Sequence, residues 1–290
     1  MLLNEYALEP EVLGSKTNFQ ILAPQIGASQ GRLIARFPRD WKKRVYAAAH
    51  SGAKTTELAW IEEKLRRLDD SALFSRGRTG GDPELPWIAR ALAEHRREPF
   101  AAIVGSVARP DVLTLDDLDN AASWQVSRQC EVPRRARDMA DAISLIFLSG
   151  SQFKIIDPHL DPSKRRFRNT LVEFLRRIGS RPQGVQDGSV ECHVMTTGNQ
   201  DEERRFVDNF KAAMEGKIPV GLSLSLHLHP AALMHDRFVL SPWAGADFGQ
   251  GLDEGDRPQR VKITLLEESI RASKWGEFGS DHPALNLNGA

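Results

Sequence analysis

The sequence predicts an α/β protein, with a mainly helical N-terminal region over residues 1–125 followed by a mixed-sheet α/β domain over residues 126–290. Three observations predict it. Apolar residues recur at helical spacing in the first hundred residues, as at Leu58, Ile61, Leu65 and Leu68. From Arg134 onward short β-like runs alternate with helical faces, and a β-α-β-α-β order calls for a sheet covered by helices. Leu222, Leu224, Leu226 and Leu228 alternate strictly with Ser223, Ser225, His227 and His229, the period of a strand with one buried face.

Taken in order, Gly31 to Ala49, Thr55 to Leu68 and Pro86 to Arg97 read as helices, with Pro86 suited to a first helical position. Ser75 to Pro83 has the composition of a loop, and Phe100 to Val104 reads as a short strand. Thr114 and Asp117 have the spacing of a capping box that opens a further helix. Met139, Ile143, Ile146 and Phe147 form an apolar helical face ending at Gly150. Phe153 to Ile156 is a strand that leads into Asp157-Pro158-His159. Phe167, Leu171, Phe174, Leu175 and Ile178 make one helix face, and Phe206, Val207, Phe210 and Met214 another, with a strand at Glu191 to Thr197 between them. Asp236 to Leu240 and Val261 to Leu266 complete the strands.

Composition narrows the function classes. The 39 basic residues balance the 39 acidic ones, so attraction to nucleic acid or an anionic surface has to come from local patches. No apolar run approaches a membrane span, and the acidic N-terminus, with Glu5, Glu9 and Glu11, lacks the basic start of a secretion signal. Cys130 and Cys192 stand far apart in no metal-ligand spacing and read as free thiols of a reducing compartment. The expected location is the cytoplasm, and no cofactor is expected.

The chemistry-bearing segment is Met234-His235-Asp236-Arg237-Phe238-Val239-Leu240, followed by Phe248-Gly249-Gln250-Gly251-Leu252-Asp253. A histidine and an arginine two apart on a strand share a face, where imidazole and guanidinium meet one phosphate. Gly249 and Gly251 then let backbone or ligand approach closely. Asp157-Pro158-His159, the His235-Asp236-Arg237 run and the Gly249 to Asp253 turn together resemble the phospholipase D-like superfamily, and most closely the phospholipase-D-like C-terminal domain of MIT-domain proteins. The resemblance covers roughly residues 140–270.

That resemblance implies recognition of phosphodiesters or other phosphate-bearing ligands, with His235 and Arg237 at the centre. It also implies how catalysis would run: one histidine attacks phosphorus and a second protonates the leaving oxygen. With a single H-x-R copy, two such histidines require a homodimer. His159 is an in-chain alternative for which the resemblance gives no warrant. The chain departs from the catalytic pattern twice, with Arg237 in place of lysine and Pro242 where an acid is expected. MIT-type relatives are thought to bind anions or partners without hydrolysis, so binding is the first expectation and a metal-independent nuclease the alternative. A role in bacterial phage defence follows from analogy alone.

Lys164, Arg165, Arg166 and Arg168 cluster just after the Asp157 strand end, where an open sheet commonly binds its ligand. They are candidates to hold phosphates, with nucleic acid favoured over lipid, although a charge run on a helix is more often its solvated face. His227 and His229, two apart on a strand, admit a second alternative, a metal-dependent hydrolase. The N-terminal region is left as a surface for partner proteins. Ser51 to Thr55 lacks the Gly-Lys pair, the first glycine and the preceding strand of a phosphate-binding loop.

Overall fold

The computed structural model describes residues 1–52, 54–75, 77–78, 80–148, 150–181, 187–279 and 282–289. The chain divides into two compact units, Leu3–Ser127 and a second made of Met1–Leu2 with Arg128–Ala290. Both combine helices with sheet, so the protein is α/β.

The first unit departs from a mainly helical reading. Strands β1 (Asn4–Leu8), β2 (Arg32–Ala35), β3 (Leu73–Phe74), β4 (Ile103–Val104) and β5 (Val112–Leu113) form an all-parallel sheet in the order β3-β2-β1-β4-β5. Helices α1 (Lys16–Leu22), α2 (Trp41–His50), α3 (Thr55–Ser71) and α4 (Trp87–Arg97) supply the crossovers and cover. The stretch expected as one helix from Gly31 to Ala49 is β2 followed by α2. The Thr114–Asp117 capping box is present, but it opens a single 3-10 turn. Of the expected loop from Ser75 to Pro83, residues 76 and 79 lie outside the described residues, as does residue 53 of the Ser51 to Thr55 segment. One core of this unit gathers Tyr6, Leu8, Phe19, Trp41, Ile61, Leu65 and Trp124 around the sheet. Trp41 Nε1 donates to the Leu8 carbonyl at 2.6 Å, so its indole is buried without an orphaned donor.

The second unit contains β6 (Gln129–Pro133), α5 (Ala136–Ala142), α6 (Ser144–Phe147), β7 (Gln152–Ile156), α7 (Arg165–Gly179), β8 (Gly188–Thr196), α8 (Gln200–Met214) and β9 (Leu222–Pro230). Then follow β10 (Phe238–Leu240), β11 (Gly245–Phe248), β12 (Arg260–Leu265), α9 (Glu268–Glu277) and β13 (Leu285–Asn288). The sheet order is β13-β9-β8-β7-β10-β11-β12-β6. Among the described residues of this unit, β7, β8 and β9 run parallel to one another and the other pairings are antiparallel. The apolar helix expected from Met139 to Phe147 is broken at Ile143, whose backbone leaves the helical region between α5 and α6.

The two faces of this sheet differ in kind. On one, Phe153 of β7, Phe147 of α6, Phe174 of α7 and Phe248 of β11 make a continuous run of ring contacts, with centroids 5.0–6.2 Å apart. The leucine side of β9 belongs to a buried layer, with Leu222, Leu224 and Leu226 inside and Leu228 half-buried at the strand end. The opposite face carries Lys154, Glu191, His193, Ser225 and His227 in register across β7, β8 and β9. Phe278 and Trp275, at the end of α9, pack on the apolar part of that face with Ile156, Phe238 and Leu240.

Candidate functional site

The C-terminal ends of the parallel strands β7, β8 and β9 form a rim, with β7 stopping three residues short of its neighbours, and the site is built on it. Asp157 follows β7 directly and is 1% exposed. Its carboxylate accepts the His159 N–H at 2.8 Å and the Leu252 N–H at 3.0 Å, so it ties the strand end to the glycine turn 95 residues later. Burial pushes its pKa up, while those two N–H groups and the charges of Arg237 and His159 pull it back.

Above Asp157 lies a cavity of about 240 Å³ whose wall includes His159, Arg134, Arg166, Arg237, Gly251 and Asp253. Arg134 and Arg166 are fixed by the same acid. Arg134 pairs closely with Asp253 and donates from Nε to its carbonyl at 3.0 Å, and Arg166 Nε lies 3.3 Å from the Asp253 carboxylate. The Arg237 guanidinium has no hydrogen bond or ion pair among the described residues, while the residue's carbonyl accepts the Phe248 N–H at 2.8 Å. The side chain is half-buried, faces the cavity, and feels Asp157 and Asp247 through space. Three guanidiniums against two carboxylates leave the cavity a net cation with one guanidinium uncommitted.

The glycine turn is required here at one position. Gly251 has φ +108°, and a Cβ there would lie 3.1 Å from Asp253 Oδ1 and 3.2 Å from an Arg134 guanidinium nitrogen. Gly249 is exposed and only carries the turn, its N–H donating to the Lys262 carbonyl at 3.2 Å.

Of the expected site residues, the structure brings together Asp157, His159, Arg166, Arg237 and Gly251. His235 is not among them. It does not open a strand, because β10 begins only at Phe238. It stands instead in an exposed loop with its Nε2 at 3.1 Å from the Ala232 carbonyl. Within the basic cluster the roles divide. Lys164 pairs with Asp161 at 3.2 Å, and Arg168 donates to the Pro162 and Ser163 carbonyls, so both serve the entry to α7. Arg165 and Arg166 line an adjoining basin of about 480 Å³ that shares Arg134 and Asp253 with the cavity.

Sequence reasoning missed Arg134 and Asp253 as site residues. Asp253 closes the quoted glycine motif, so the motif contained it, but Arg134 is marked only by lying in a run of three arginines between Pro133 and Asp138.

The metal expectation for His227 and His229 meets a different arrangement. Both rings stack with His193, at centroid distances of 4.8 and 5.1 Å. His193 is fully buried and spends both ring nitrogens, on His229 at 2.8 Å and on Glu191 at 3.3 Å, while His227 Nε2 meets Ser225 Oγ at 3.0 Å. Lys154 lies 3.4 Å from the Glu191 carboxylate and closes the row. Each of these ring nitrogens is engaged by a neighbouring side chain of the same row. Among the described residues no group of three or more His, Cys, Asp or Glu is arranged to hold a metal ion.

No helix among the described residues is long and apolar enough to cross a membrane. No family model matches the chain, and no curated protein matches it. Among solved structures the chain is similar to the archaeal chromatin protein TrmBL2, whose structure is described as showing a novel mode of DNA binding. The likeness has 12% identity and a TM-score of 0.29, and it covers 82% of this chain and 90% of the other.

Proposed function

We propose that the second unit is a phospholipase-D-like binding domain that recognises the phosphates of a nucleic-acid backbone, with Arg237 as the central contact. One observation carries this reading: the Arg237 guanidinium faces the cavity with no hydrogen bond or ion pair among the described residues, beside two arginines already held by Asp253. A guanidinium presented this way offers a planar pair of donors suited to phosphate oxygens. Arg165 and Arg166 line the adjoining basin together with Asp253, Glu254 and Asp256, so they add donors at its edge while the cationic surplus stays at Arg237. The reading is binding without turnover, because Arg237 and Pro242 stand where the catalytic pattern has a lysine and an acid, and because His235 lies outside the cavity wall. Nucleic acid is favoured over lipid, since none of the exposed large hydrophobics among the described residues lines the cavity or the basin.

Binding of a fluorescent single-stranded oligonucleotide is expected to weaken steeply between 50 and 200 mM salt, with a log–log slope of about −0.7 per phosphate engaged. The double charge reversal Arg165→Glu, Arg166→Glu is expected to weaken it further and to flatten that slope. Affinity indifferent to both treatments sinks the proposal. Cleavage of the strand that survives a chelator would favour the nuclease alternative.

A further inference from the structure

A second cavity stands on the same sheet rim, of about 420 Å³, between the ends of β8 and β9 and the first turns of α8. Its volume is within the range of small-ligand sites, about 300–1,000 Å³. It adjoins the phosphate site through the backbone: the Met195 N–H donates at 3.3 Å to the carbonyl of Pro158, the residue between Asp157 and His159.

The wall of this cavity has a definite chemistry. Met195, Leu228 and the half-exposed ring of Phe206 supply apolar surface, and Phe206 is backed by Phe210 at 6.3 Å. Arg205 and Asn209 also line it, and neither side chain has a hydrogen bond or ion pair among the described residues. Glu202 and Glu203 complete the polar side, held by hydroxyl donors from Thr197 and Thr196. Two fixed carboxylates repel a phosphate and accept from amino groups, while Asn209 both donates and accepts. An aromatic ring for stacking beside donors and acceptors of both kinds is the combination that receives an unstacked base.

We infer that this cavity takes a single nucleobase of the strand whose backbone phosphate occupies the Arg237 site. The inference rests on the phosphate reading for its second half only, because the cavity's own chemistry selects the base.

Two measurements test it together. In saturation-transfer NMR with free adenosine and cytidine, the wild-type protein is expected to give transfer to the base protons. Phe206→Ala should abolish that transfer, Phe206→Tyr should keep it, and Arg237→Ala should leave it unchanged. In anisotropy titrations, wild type should prefer a base-bearing strand over an abasic strand of equal length by roughly tenfold, the order expected of one stacked base. Phe206→Ala should erase that preference while keeping the abasic affinity. Nucleoside transfer without binding of either strand would leave the base site standing and remove the phosphate reading. Equal binding of both strands with no nucleoside transfer would overturn the base site and leave the phosphate reading intact. Silence in both measurements would overturn the two together.

Discussion

Replacing Arg78 with alanine is expected to destabilise the protein by about 3–5 kcal/mol, the loss that follows when one member of a buried ion network is removed. The Arg78 side chain is 2% exposed, and it donates to the Glu5 carboxylate through both Nε, at 2.9 Å, and Nη2, at 2.6 Å. Its other arm reaches the Glu98 carbonyl at 2.7 Å and Glu94 at 3.4 Å, and its guanidinium lies 3.9 Å from the Phe100 ring centre. Burial works against the charge, yet Glu5, Glu98 and Glu94 hold the guanidinium pKa above its ordinary value. One side chain thus ties β1 to α4 and to the segment after β3. Alanine would take from the buried Glu5 carboxylate its two-pronged guanidinium contact, while Glu94 would keep Arg97. Urea unfolding of the full chain, followed by tryptophan fluorescence, measures the loss. The double change Glu5→Gln, Arg78→Met should recover much of it, because no buried charge is then abandoned at Glu5. A single substitution costing less than about 1 kcal/mol would mean that water reaches the network.

Acid is expected to destabilise the second unit through its histidine row. His193 is pushed down to about 4 by burial and by the charges of His227 and His229, against a partial opposing pull from Glu191. His227 and His229 are shifted in the same direction, again chiefly by burial. A histidine with a depressed pKa is neutral in the fold and takes a proton more readily when unfolded. The stability it permits is therefore complete above pH 6.5 and is lost as pH falls from about 6.5 toward 4. For His193 alone the shift corresponds to roughly 3 kcal/mol at the acid end. Asp157, pushed up by burial, acts in the opposite sense, so a comparison with a variant isolates the histidine. His193→Gln should flatten the pH dependence of the melting temperature in this window while lowering stability at neutral pH. An unchanged profile in the variant would assign the acid response elsewhere.

The sequence made the second unit readable and hid the first for one physical reason. The α7 face of Phe167, Leu171, Phe174, Leu175 and Ile178 is long and strictly periodic, and the observed helix buries those residues. The β9 alternation survives in the structure because one side is leucine core and the other a polar row. In the first unit, β3, β4 and β5 have two residues each, too few to show any period. Strands β1 and β2 are parallel and buried on both faces, so they read as plain apolar runs. β2 was absorbed into a helix because Arg32 to Ala35 carries no breaker before Pro38.

The site was legible as a set of segments but not as a geometry. The Asp157 and Gly251 motifs were visible, and the structure joins them through the bond from Leu252 to Asp157. His235 stood out because histidine two before arginine implies a shared strand face. That inference needed β10 to begin three residues earlier than it does. His193 carried a signal that went unused: in parallel register it pairs with His227, so reading the strand faces of β8 and β9 together places the imidazoles side by side.

The most direct test compares Arg237→Ala with His235→Ala in one anisotropy experiment on a short single-stranded oligonucleotide. Arg237 is half-buried on the cavity wall and His235 is exposed on a loop outside it, so the two changes separate the cavity from the motif. Arg237→Ala is expected to weaken binding about tenfold or more, the scale of a lost charged hydrogen bond, and His235→Ala to leave affinity within twofold of wild type. Loss of binding on His235→Ala with Arg237→Ala unaffected would contradict the assignment and return the centre of the site to His235.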